Sequence, residues 1–196
     1  MDRPLQPDTI LSAEFAYIAQ TAFQANEDRA RVSNFYLVMV GSFVAAMLGL
    51  QLENVDPATV YGAFAILFLV MSLNGLLTLL HLVRLREAWF ESVSAMNQIK
   101  RYYEARLRDL ALEEAFRWKM ESIPPRFKPW SISFLLMLQV ALLGGAALGA
   151  AVIFWGQAWG NRWEVAGFVA GLVFVVAQVA LYRALLRRAT RRRGAG

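Results

Sequence analysis

Apolar residues run unbroken through four stretches of this chain, and polar positions gather between them. The longest stretch, residues 60–83, reads VYGAFAILFLVMSLNGLLTLLHLV, 24 residues without Asp, Glu, Lys or Arg. A helix needs about 20 such residues to cross a bilayer core of ~30 Å. Comparable stretches cover 32–50, 131–155 and 165–182. The pattern predicts an all-α integral membrane protein. Its four transmembrane helices fall into two hairpins, residues 32–83 and 130–182.

The flanking segments carry a different rhythm. Residues 1–31 hold Pro4 and Pro7, then run from Asp8 to Arg31 without Gly or Pro. Leu11, Phe15, Ile18 and Ala22 follow a 4-3-4 spacing and share one helical face. Asp8 is the expected N-cap. This segment is expected to be a helix leading into the first span, with Glu27, Asp28, Arg29 and Arg31 as a charged collar. No basic start precedes an apolar run, so a cleaved signal peptide is not expected.

Residues 84–129 form the central polar segment. Trp89, Met96, Tyr103 and Leu110 recur every seven residues, the mark of a helix with one buried seam. A straight helix over 84–121 would be about 57 Å long. The linker 122–129 spans at most about 28 Å. A helix standing upright therefore could not return the chain to span three. Either the helix lies flat, or, the favoured reading, it folds into a helical hairpin turning within 101–109, with Asp109 capping a returning helix over 110–121. Pro124, Pro125 and Pro129 then make 123–129 an extended strap. Residues 183–196 are a basic tail.

Charge sets the orientation. The chain has 20 Lys and Arg against 15 Asp and Glu. Loops 51–59 and 156–164 together hold one base, Arg162, whereas 84–129 holds ten and the tail six. By the positive-inside rule both termini and the 84–129 segment are cytosolic, in the plasma (inner) membrane. Arg187, Arg188, Arg191, Arg192 and Arg193 are expected to meet anionic lipid at that face. Nucleic acid is not an expected partner, because no aromatic residues interleave this run.

Candidate chemistry is sparse. There is no cysteine and a single histidine, His81. There is no Gly-rich phosphate loop, no HExxH and no GxSxG. No catalytic residue, cofactor or metal site is therefore assigned. Within the spans Asn74, Thr78 and His81 are spaced 4 and 3 on one face, and Gln139 and Gln178 are possible partners from spans three and four. This polar stripe reads either as interhelical hydrogen bonding or as the lining of a pore. Small residues mark helix-packing faces: Gly41, Ala45 and Gly49 in span one, Gly145 and Gly149 in span three, Gly167 and Gly171 in span four.

The expected function is that of a non-enzymatic membrane protein. It self-associates, or serves as a scaffold or accessory subunit of a larger membrane complex, through the small-residue faces and the cytosolic helical module. The alternative is an oligomeric ion-conducting pore or membrane effector lined by the Asn74, Thr78 and His81 stripe.

Overall fold

A computed structural model describes residues 7–49, 55–107, 123 and 125–193, with side chains omitted at Pro7 and 189–193. The described residues form four α-helices in chain order, with no strand among them. These are α1 (Pro7–Leu48), α2 (Pro57–Arg106), α3 (Ile132–Ala158) and α4 (Glu164–Arg193). All four are long and apolar enough to cross a membrane.

Local chemistry explains where they start and stop. Asp56 caps α2: its Oδ2 accepts from the Thr59 backbone N–H and from the Thr59 hydroxyl, both at 3.0 Å. Pro57 follows as the first helical residue, where its missing N–H costs nothing. Ser131 caps α3 by accepting from Phe134 N at 3.3 Å. α3 ends in a Schellman motif. Gly160 takes φ +72°, its N–H donates to Gln157 O at 3.0 Å, and Asn161 N–H donates to Gly156 O at 2.9 Å. Glycine adopts this left-handed backbone without a Cβ penalty. α1 begins at Pro7, so Asp8 lies inside the first turn rather than at the cap. There its carboxylate still faces the positive end of the helix dipole.

Two helices are longer than any bilayer requires. α1 has 42 residues and α2 has 50. At 1.5 Å per residue α2 measures about 75 Å. The polar segment after residue 83 thus continues the apolar helix without a break as far as Arg106. The expected returning helix over 110–121, with Asp109 and Leu110, lies outside the described residues. The strap 125–130 is irregular, and Trp130 has φ +61°. Pro129 and Trp130 occupy the middle of a turn closed by Ser131 N to Lys128 O at 3.4 Å, with the positive φ of a type II turn at Trp130.

The four helices pack against one another around a core of Tyr36, Leu79, Leu82, Val83, Met137, Val140, Ala141, Tyr182 and Leu186. Neighbours run antiparallel. Phe154 late in α3 stacks on Phe68 at 5.6 Å and packs edgewise on Phe64 at 5.4 Å, both early in α2. At the opposite end Ser133, early in α3, meets Arg29 of α1. The outer faces stay apolar: Val70, Leu73, Leu77, Phe168, Leu172 and Val173 are all more than half exposed. Water-soluble monomers rarely display so much continuous apolar surface, and helices solvated by lipid do. Four such helices fit a multi-pass membrane protein.

Candidate functional site

α1 buries one face, traced by Ala22, Ala25, Arg29, Ser33 and Tyr36 at spacings of 3, 4, 4 and 3. α2 buries Leu79, Leu82, Val83 and Arg86 in the same manner. Each stripe therefore carries an arginine inward, one turn past the apolar stretch. Arg29 is 8% exposed and Arg86 is 6% exposed.

Both guanidiniums are held by neutral groups. Arg29 donates from Nη1 to Ser133 Oγ and from Nε to Ala25 O at 3.3 Å. Arg86 donates from Nε to the Arg126 carbonyl at 3.4 Å. Its guanidinium lies over the Trp89 ring at 4.8 Å and the Phe90 ring at 5.7 Å. Tyr182 of α4 sits beside both arginines. The acids nearest in sequence turn elsewhere. Asp28 pairs with exposed Arg31, and Glu87 with exposed Arg84, each at 3.5 Å. Among the described residues no salt bridge reaches Arg29 or Arg86.

The electrostatic consequence is direct. Burial, and then the charge of Arg86, push Arg29 below the usual guanidinium range. Burial does the same to Arg86. Guanidinium remains protonated regardless, so two positive charges persist in a poorly solvated place. Withdrawing an ion from water costs on the order of several kcal/mol unless polar partners compensate. Here hydroxyl, carbonyl and aromatic faces compensate in part.

Two further arginines rim this pair. Arg126, from the strap, lies over Phe90 at 5.2 Å. Arg183 of α4 lies over Phe127 at 5.4 Å. Phe127 packs edgewise on Tyr182 and Phe134, at 6.4 and 5.9 Å. The strap thus inserts Phe127 as a wedge and brings four cations to one end of the bundle. Next to Arg183 a groove of about 580 Å³ runs along α4, lined by Val175, Val176, Val179, Ala180, Arg183 and Arg187.

The centre of the bundle holds a second convergence. A Cβ on Gly75 would lie 2.6 Å from the Tyr36 hydroxyl, and Gly144 Cα would be 3.4 Å away. A Cβ on Gly144 would meet Gln178 Nε2 at 3.2 Å. The two glycines make room where all four helices meet. The Tyr36 hydroxyl donates to Met71 O at 3.4 Å. Gln178 is 1% exposed, and among the described residues neither of its amide atoms has a hydrogen-bond partner.

Burial separates the five residues of the expected polar stripe. Thr78 and Gln178 are buried, Asn74 is half-buried, and His81 and Gln139 are exposed. The small-residue positions also divide. A Cβ on Gly145 would come within 2.8 Å of Gly171 O, and one on Gly149 within 2.9 Å of Gly167 O. Gly41 has nothing within 4 Å, Gly49 meets only its own helix, and Ala45 is exposed. Of the seven-residue seam, Trp89, Met96 and Tyr103 are half-buried, while Ser92 and Asn97 are the buried residues there. Arg187 and Arg188 are exposed, and the side chains of Arg191, Arg192 and Arg193 lie outside the description.

The buried arginines are what sequence reading passed over, taking them for a collar and a flank. The available signal was register: Arg29 continues the Ser33–Tyr36 face, and Arg86 the Leu79–Leu82 face. Comparison with protein-family models, curated proteins and solved structures gives no match to this chain.

Proposed function

We propose that the chain is a non-enzymatic membrane protein that associates with further copies of itself, or with a larger membrane complex, through the small-residue face of α1. Its spans form two hairpins. The strongly basic end, with both termini and residues 84–129, lies in the cytosol, and the membrane is the plasma (inner) membrane. Anionic lipid at that face meets the arginine tail.

One observation carries this reading. Gly41, Ala45 and Gly49 form a smooth strip on α1 that no other helix covers among the described residues. Small residues let a neighbouring backbone approach closely, which is what drives helix association in lipid. The Lys and Arg bias between loops supports the orientation.

The chain has no cysteine, so an introduced thiol is a clean reporter. Ala45→Cys in native membranes is expected to give an oxidised dimer, whereas Val173→Cys on the outer face of α4 is not. Absence of a cross-linked species, together with a monomeric size in mild detergent and no co-purifying protein, would defeat the proposal.

A further inference from the structure

Four arginines converge where α1, α2, α4 and the strap meet, and among the described residues the groups they contact are neutral. Arg86 and Arg126 both lie against Phe90, and Arg183 backs onto Phe127. A cation braced by an aromatic face keeps its N–H edge available for an anion. Phosphate suits guanidinium particularly well, because two parallel N–H groups match two phosphate oxygens.

Access differs among the four. Arg29 and Arg86 are buried, Arg126 is half-buried and Arg183 is exposed. The buried pair supplies a positive field in a low-dielectric setting, where field lines focus towards the opening. The rim pair supplies donors that a ligand can reach.

The adjoining groove indicates what kind of phosphate. From Arg183 and Arg187 it runs along Val179, Ala180, Val176 and Val175 towards the apolar middle of α4. It joins a charged mouth to an aliphatic channel, the order of groups found in a phospholipid. We propose that Arg126 and Arg183, backed by Arg29 and Arg86, bind the headgroup phosphate of an anionic phospholipid whose acyl chain lies in the α4 groove. This is a defined site, separate from any diffuse attraction to the tail. It rests on the membrane reading given above.

The test uses the full chain with Arg188, Arg191, Arg192 and Arg193 changed to Gln, which silences the tail. Phosphatidylglycerol and phosphatidylcholine with identical acyl chains are offered in detergent, and retained lipid is counted by native mass spectrometry. Phosphatidylglycerol is expected to be retained about tenfold better, the scale of one charge-assisted contact. Arg183→Gln or Arg126→Gln should remove most of that preference, and Arg84→Gln, which turns outward to Glu87, should leave it intact. Val176→Trp fills the groove without touching the charges and should also weaken retention. Because the two rim arginines and Val176 are not core residues, a thermal midpoint close to the parent's is expected to accompany each loss. Equal retention of the two lipids would overturn the proposal. So would a preference unaffected by Arg183→Gln and Arg126→Gln, or displacement of the lipid by inorganic phosphate at equal concentration. Alkaline carbonate extraction serves as the separate check. A chain released by carbonate defeats the membrane reading itself, whereas a retained chain without lipid preference defeats only this site.

Discussion

Gly145, Gly149, Gly167 and Gly171 lie against one another between α3 and α4, so closely that a Cβ on any of them would meet backbone oxygen. Gly41 and Gly49 of α1 lie eight residues apart, with Ala45 midway, in a similarly apolar sequence, yet among the described residues no other element approaches them. The difference shows that a small-residue face is only permission for close approach. Antiparallel neighbours joined by the short connection 159–163 meet at once, and so the α3 and α4 glycines serve the chain's own fold. The α1 face, with α2 packed elsewhere on that helix, is the one the proposed association would use.

Substitutions in the two faces should separate these roles. The largest effect is expected from Gly149→Ile with Gly171→Ile. Both would press on facing backbone, which cannot rotate away as a side chain can. Overpacking of this kind costs about 3 kcal/mol or more. Loss of a monodisperse peak and of cooperative thermal unfolding in detergent would register it. Unchanged unfolding would mean that α3 and α4 do not pack as described.

Next comes Gly75→Ala, whose methyl would meet the end of Tyr36 rather than backbone. A cost of about 1–3 kcal/mol follows from forced displacement of a packed ring. Tyr36→Phe removes the hydroxyl that is in the way, so the double variant should recover part of the loss. A double-mutant cycle by thermal unfolding measures the coupling, and strict additivity would show that the two sites do not touch.

Gly41→Ile with Gly49→Ile should change monomer stability by about 0.5 kcal/mol at most, as for ordinary surface changes. It should nonetheless reduce the cross-linked fraction obtained with Ala45→Cys. A large stability loss instead would place a partner helix of this same chain over that face.

Gly160→Ala forces a Cβ into the left-handed backbone that ends α3, at a cost of about 1 kcal/mol. Gly62, which has no positive φ and open space around it, is the matched control.

The smallest effect is acid-dependent. The Thr59 backbone N–H and hydroxyl hold the Asp56 carboxyl below its ordinary range. A depressed folded pKa contributes stability that is present above the unfolded value, near 3.9, and fades as pH falls through the folded value. Stability should therefore be flat from pH 7 to about 5, with a slight loss below about pH 4 that Asp56→Asn abolishes. Asn keeps the cap without titrating.

The same contrast explains what could be read in advance. Continuous apolar stretches and their lengths determined four helices, because bilayer thickness acts on each segment separately. Caps were legible where they depend on local chemistry, as in the Asp-Pro start of α2. The cap expected at Asp8 fell inside the first turn of α1, within the scatter of helix ends. Glycine pairs could be seen in the sequence, but which pair would close on which was invisible, since partner choice depends on connection length and the shapes of three other helices.

What the amino-acid order determined alone is the helical class, the segment lengths and the uneven placement of arginine. Those follow from one-dimensional rules of hydrophobic length and charge. Only tertiary structure decided that Arg29 and Arg86 point inward, that Phe127 wedges between Tyr182 and Phe134, and that Thr78 and Gln178 are buried while His81 and Gln139 stay exposed. Such outcomes depend on which face of each helix its neighbours cover, a rotation that no single helix sets for itself.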